Sequence, residues 1–231
     1  MTTSAELCRE ALDANVQIWK AGLVVSTFGN VSVIDRRSGV VAIKPSGVAY
    51  DTLSADDMVV CDLDGHVLHG RYRPSSDLAT HLVLYRSFPS IGGVVHTHSR
   101  FATVFAQARR EIPPLGTTHA DYFRTAVPVA RDLTDEEIST DYVAATGRAL
   151  VEAHAGRDPL DTPAALAIGH GPFAWGVDGN DAAHNAEMLE FTADLAFHTF
   201  AISQSNVTLS ASLLERHFSR KHGPSASYGQ S

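Results

Sequence analysis

The chain is poor in cysteine, with two in 231 residues, Cys8 and Cys61, far apart. That excludes a small disulfide-stapled scaffold. It has no apolar run of about 18 residues, so no membrane span is predicted. Its first ten residues, MTTSAELCRE, are polar and acidic where a signal peptide is basic and then apolar. No G-x-G-x-x-G follows a strand-like run and no Walker-type loop is present, which argues against the common nucleotide-binding frames. Basic residues are in deficit, 18 against 26 acidic, and the net charge of −8 disfavours nucleic acid and anionic membrane surfaces as partners. Charged residues make up 19% and hydrophobic residues 44%, which is outside the range of a disordered chain. The expectation is one globular domain over 1–231, closed by a polar tail over 223–231, in a reducing cytoplasm.

Helical spacing is present over 4–21, where Cys8, Leu12 and Trp19 mark an apolar stripe, and Gly22 follows as a stop. Short strand-like runs come next: NVSVID, GVVAIKP, and MVVCDL with VLHG across Asp64-Gly65, a strong hairpin signal. A helix is predicted over 76–88, capped by Ser75 or Ser76, then a buried strand over 91–95 and a helix over 99–109. Further strands are predicted over 127–130 and 164–168. Helices are predicted over 135–154, 182–203 and 209–221, the second apolar nearly all round and so buried. Antiparallel hairpins with helices at intervals point to a layered α/β fold with a mixed or largely antiparallel sheet.

What the chain does have is histidine, twelve in all. His96-Thr97-His98 closes the apolar run IGGVV, and residues i and i+2 of a strand share a face, so both imidazoles can meet one metal ion. About 0.6 such pairs arise by chance at this histidine content, so the pair alone decides nothing. Two further residues shift the balance. His170 ends another apolar run between Gly169 and Gly171, and Asp77 opens a helix after Pro74-Ser75-Ser76. Three imidazoles and one carboxylate suit Zn²⁺, and no cysteine accompanies them as a structural zinc would require. His81 stands one turn beyond Asp77, in reach of an outer position around such a site. His119 and His217 are undecided on spacing.

Three segments combine small, hydroxyl and cationic residues as anion sites do: Gly29-Asn30, Lys44-Pro45-Ser46-Gly47, and Ser75-Ser76 at a helix start. Each alone reads more readily as a turn or cap than as an anion site; together, beside a metal site, they suggest a small phosphorylated substrate. Asp121, in Thr117-Thr118-His119-Ala120-Asp121, reads as a general base or as a solvent-edge carboxylate. Tyr228 is an aromatic in a small-residue tail, either a disordered terminus or a segment that folds over a site.

The ordered motifs GNVS (29–32), IKPSG (43–47), ADDMVV (55–60), PSSD (74–77), FPSIGGVVHTHSR (88–100), GTTHADYF (116–123), GHGPFAWG (169–176) and RKHGPSASYGQ (220–230) cover nearly the whole chain. They resemble the class II aldolase/adducin-head family, in its L-ribulose-5-phosphate 4-epimerase branch. The resemblance implies a three-layer α/β/α sandwich with a mainly antiparallel central sheet, and a homotetramer with active sites between subunits. It implies Asp77, His96, His98 and His170 as ligands of Zn²⁺ or of another divalent cation such as Mn²⁺. Gly29, Asn30, Lys44, Ser46, Gly47, Ser75 and Ser76 would contact substrate and phosphate, with Thr117 and Thr118 nearby. Asp121 and Tyr228 would be the acid/base pair, reaching the metal from the adjacent subunit, and His217 matches a further active-site position. The implied activity inverts C4 of L-ribulose 5-phosphate to D-xylulose 5-phosphate by cleaving and remaking C3–C4. Related aldolases carry Glu where this chain has Asp77, which favours the epimerase branch. The alternatives are an aldolase of the L-fuculose-1-phosphate type that releases its fragments, and a non-enzymatic module of the adducin-head kind.

Overall fold

A computed structural model describes residues 4–203, 207–223 and 226. Seven strands form one sheet: β1 (Asn30–Asp35), β2 (Val40–Ile43), β3 (Val59–Asp62), β4 (Val67–His69), β5 (Gly93–His96), β6 (Ala164–Ala167) and β7 (Gly171–Gly176). Their order is β4-β3-β2-β1-β5-β7-β6, and every neighbouring pair is antiparallel. The helices are α1 (Ser4–Lys20), α2 (Leu78–Ser87), α3 (Arg100–Gln107), α4 (Thr117–Ala120), α5 (Asp135–Ala153), α6 (Gly179–Ile202) and α7 (Ala211–His222).

The strands bury both faces, and their alternation divides the core in two. Val31, Val95, Ala164, Leu166 and Ala174 point to a cluster shared with α1, α3 and α6. Ile34, Val94, Ala165, Ala167, Phe173 and Trp175 point to a cluster shared with α2 and α5. Helices therefore cover both faces of the sheet, as the three-layer expectation required.

Four local expectations are corrected. The 127–130 run makes only isolated bridges, Val127 to Ile112 and Val129 to Leu166, because Pro128 has no N–H to extend a ladder. GHGPFAWG hides a full strand, β7, behind glycine and proline. The 117–120 stretch, given no element by the sequence reading, is a short helix. The long helix α6 buries Ala182, Ala186, Leu189, Ala193 and Ala196 but exposes Phe191, Leu195, Phe197 and Ile202, so it is one-sided rather than buried all round.

Candidate functional site

The site grows out of the central strands. Asn30 of β1 is the cross-strand partner of His96 of β5, and His96 is the partner of Phe173 of β7. These three side chains share one face at one end of the sheet, the face covered by α2. His98 follows two residues after His96. His170 sits in the tight β6–β7 turn, which Gly169 makes at φ +64°.

His96, His98 and His170 each offer a ligand atom, all within 4.8 Å of one another. The His96 and His98 Nε2 atoms are 3.2 Å apart. His96 Nδ1 lies 3.0 Å from the Pro172 carbonyl, which can only accept, so the His96 proton is on Nδ1 and the Nε2 lone pair faces the cluster. Phe173 stacks on the His96 ring at 4.2 Å and seals it from behind. Burial pushes His96 down to about 3, and burial together with the neighbouring His98 lowers His170, so both rings are neutral near pH 7. Neutral lone pairs converging in this way fit a divalent cation.

Asp77 lies in the same cleft, just outside the triad. It occupies the N-cap position of α2, yet its carboxylate makes no capping bond. The expected cap by Ser75 or Ser76 is not formed, because the helix starts later and Asp77 takes that place; the Ser75 carbonyl accepts from Leu78 N, and its Oγ accepts from Asp77 N at 3.3 Å. The carboxylate is left to accept from Asn30 Nδ2 at 2.7 Å and from Ser75 Oγ at 3.4 Å. Burial alone would raise the Asp77 carboxyl, but the His96 and His81 rings and the Asn30 amide outweigh it and hold the carboxyl below its ordinary value. Three imidazoles and an anionic oxygen in one cleft match the chemistry of a zinc-type donor set.

The cleft, about 530 Å³, is lined by the triad and Asp77 together with Gly29, Asn30, Lys44, Ser46, Gly47, Ser75 and Ser76. Lys44 is its fixed cation. The ammonium donates to the Val48 carbonyl at 2.7 Å and lies 4.6 Å from the Tyr50 ring centroid. Burial pushes Lys44 down to about 8. Tyr50 in turn donates to the Gly29 carbonyl at 2.8 Å. Gly29 holds φ +87°, and a Cβ there would come within 3.0 Å of the His96 carbonyl oxygen, so the loop can pass this close to the end of β5 only as glycine. The buried Asn30 Oδ1 has no hydrogen-bond partner among the described residues, leaving an acceptor beside the cleft.

The other expected residues gather elsewhere. Asp121 caps α4 and faces α7: His217 Nδ1 is 3.0 Å from Asp121 Oδ1, and an Arg220 Nη is 3.1 Å from Oδ2. Thr117 and Thr118 open the same short helix. None of these lines the cleft within one chain. Tyr228 lies outside the described residues. Four cleft residues escaped the sequence reading, Thr27, Phe28, Tyr142 and Val143, and two of them touch the histidines. Tyr142, in mid-helix, has its hydroxyl 3.3 Å from His170 Nδ1. Phe28 is largely exposed and tilts over His98 at 5.8 Å. His81 is buried behind Asp77, its Nδ1 2.7 Å from Ser32 Oγ, so its side chain reaches β1.

Residues 9–197 match the Class II Aldolase and Adducin N-terminal domain. The chain is 52% identical over 225 residues to the L-ribulose-5-phosphate 4-epimerase UlaF of Salmonella paratyphi B, covering 97% of this chain and 99% of that protein. The protein of the same name from Salmonella typhi is equally similar, at 52% over 225 residues. Among solved structures, an L-fuculose 1-phosphate aldolase superposes with a TM-score of 0.79 at 27% identity, covering 94% of this chain and 96% of that one. Motifs, fold and whole-length similarity lead to one conclusion: the chain belongs to the class II aldolase and adducin N-terminal domain family.

Proposed function

We propose that the protein is a metal-dependent L-ribulose-5-phosphate 4-epimerase, forming D-xylulose 5-phosphate, with the whole chain acting as one catalytic domain. The observation that carries this reading is the pairing, within one cleft, of the His96, His98 and His170 imidazoles and Asp77 with the buried Lys44, the Ser46-Gly47 loop and Ser75-Ser76. Such a cleft has a metal pole and an anion pole, as a sugar phosphate requires. The 52% identity to epimerases over nearly the full length supports the same substrate.

C4 of a 2-ketopentose is not adjacent to the carbonyl, so enolisation cannot invert it. Breaking C3–C4 can, because the electron pair left on C3 is conjugated with the C2 carbonyl. A divalent cation, Zn²⁺ by the donor set with Mn²⁺ as the alternative, would be held by His96, His98, His170 and Asp77 and would supply Lewis-acid stabilisation of negative charge on the sugar oxygens. Lys44, Ser46, Gly47, Ser75 and Ser76 grip the phosphate, and the free Asn30 Oδ1 accepts from a sugar hydroxyl beside Gly29. One acid/base residue takes the C4 hydroxyl proton as C3–C4 breaks. The aldehyde fragment, still held by its phosphate, turns over and presents its other face. C3–C4 re-forms, and the second residue protonates the new alkoxide. Inversion thus needs a proton-transfer group on each side, and Asp121 and Tyr228 take these roles, with His217 bonded to Asp121.

Within one chain Asp121 stands away from the cleft, which supports a site completed by the neighbouring copy, with Thr117 and Thr118 alongside, in a homotetramer. No described helix is long and apolar enough to cross a membrane, in keeping with the proposed cytoplasmic location. The structural similarity to L-fuculose 1-phosphate aldolase keeps the fragment-releasing reaction as the second reading.

The test is an assay of the zinc-loaded protein on L-ribulose 5-phosphate and L-xylulose 5-phosphate. Formation of D-xylulose 5-phosphate from the first supports the reading. Accumulating glycolaldehyde phosphate would indicate an aldolase, and no turnover of either sugar would indicate a non-catalytic module.

A further inference from the structure

We propose that Tyr142 is a positioning residue for the metal centre: its phenol oxygen accepts the Nδ1 proton of His170 and so fixes that imidazole as an Nε2 ligand. The inference rests on reading His170 as a metal ligand. A neutral imidazole carries one proton and one lone pair, and whichever nitrogen is protonated cannot bind metal. His96 settles this choice through the Pro172 carbonyl at 3.0 Å. His170 has no carbonyl in that place. Its Nδ1 meets Tyr142 Oη at 3.3 Å, and the two rings stack at a centroid distance of 6.4 Å with 28° between planes. An oxygen acceptor behind a ligating histidine orients the ring and raises its basicity.

The backbone delivers Tyr142 to this place by a break in α5. Asp141 leaves helical geometry at φ −153°, ψ 46°, and its carboxylate pairs with Arg148 at 3.0 Å. Beyond the break, α5 is locked to α2: Thr80 Oγ1 donates to the Val143 carbonyl at 2.6 Å, and Gly147 lets the Thr80 backbone come close. Before the break, Thr134 and Glu137 form a reciprocal cap. Arg131 then binds both Glu137 and Glu152, at 2.8 and 2.6 Å, and so bridges the two halves. Tyr142 is the first residue past the kink. Tyr142 and His170 line both the metal cleft and a second cavity of about 130 Å³ whose apolar walls include Leu133, Ile138, Ala149 and Ile168. An uninterrupted α5 would change the direction from which residue 142 approaches His170.

The test measures metal affinity rather than turnover. Metal-free wild-type protein, Tyr142→Phe, Tyr142→Leu and His170→Ala are titrated with Zn²⁺ against a chromogenic chelator. Thermal unfolding of the same metal-free proteins is recorded alongside. Tyr142→Phe keeps the ring and removes the acceptor, and is expected to weaken Zn²⁺ binding about 10–100-fold. The metal-free unfolding midpoint should stay unchanged, because the side chain is 43% exposed and packing changes little. Tyr142→Leu should lose a similar factor. A Co²⁺-substituted Tyr142→Phe protein should show an altered visible spectrum, a signature that a purely structural role would not move. If Tyr142→Phe binds Zn²⁺ like wild type while His170→Ala binds it far more weakly, the proposal is overturned and the ligand reading stands. If His170→Ala also binds normally, the ligand reading itself fails. A defect in Tyr142→Leu without one in Tyr142→Phe would assign the effect to ring packing and overturn the hydrogen-bond role.

Discussion

Asn30 and His96 are cross-strand partners, and the Asn30 amide reaches Asp77 at 2.7 Å, so one register position of the sheet ties β5 and its histidine to the carboxylate at the head of α2. β1 and β5 are central, and a one-residue slip in their pairing would put one of the two side chains on the opposite face. The donor set is therefore held by the most constrained part of the fold.

His98→Ala should lose metal first and activity as a consequence. One of three converging imidazoles is removed, and affinity for Zn²⁺ should fall by about 10²-fold or more. Metal content after dialysis, measured beside turnover, checks this. Full occupancy with normal turnover would remove His98 from the site.

Lys44 should set an alkaline limb. Burial depresses its free-enzyme ionisation to about 8. It is charged below that value and neutral above it, so attraction for a phosphate dianion fades as pH rises. kcat/KM should fall above about pH 8, and kcat should fall at a higher pH, because bound phosphate favours the charged form. Lys44→Met should abolish this limb and lower kcat/KM by about 10²-fold at pH 7, since a charge-assisted bond of about 2–3 kcal/mol is lost. A pH profile of Lys44→Met that keeps the limb near 8 would assign it to another group.

The layout of the site was legible in sequence where chemistry is carried by local motifs. His96 and His98 share a short strand end, Lys44 through Gly47 form one continuous loop, and Ser75 through Asp77 open one helix, so each group is fixed by a few adjacent residues. Tyr142 was not legible, because nothing in its neighbourhood marks a helix break; Asp141 leaves helical geometry through tertiary anchoring on either side. β7 was hidden because Gly171, Pro172 and Gly176 carry turn composition, while its strand character comes from pairing on both sides with β5 and β6. The separation of Asp121 from the cleft was not readable from spacing either, since it depends on how α4 and α7 pack together.

Asp121→Asn and Tyr228→Phe should each slow epimerisation by about 10²–10⁴-fold with metal content unchanged. In the proposed mechanism the two residues serve opposite faces of the aldehyde, so each substitution should harm one direction of the reaction more than the other. Forward and reverse initial rates on the two pentulose phosphates provide the check. Wild-type rates in Tyr228→Phe would remove the tail from the mechanism.

The central claim is that C3–C4, and no carbon–hydrogen bond, is broken. Turnover of L-ribulose 5-phosphate in D₂O, with the product read by NMR, tests it most directly. The account predicts D-xylulose 5-phosphate without deuterium at C3 or C4, because both C–H bonds survive cleavage and re-addition. A solvent deuteron at C4 of the product would contradict it, since that label arises only if the carbon itself is deprotonated.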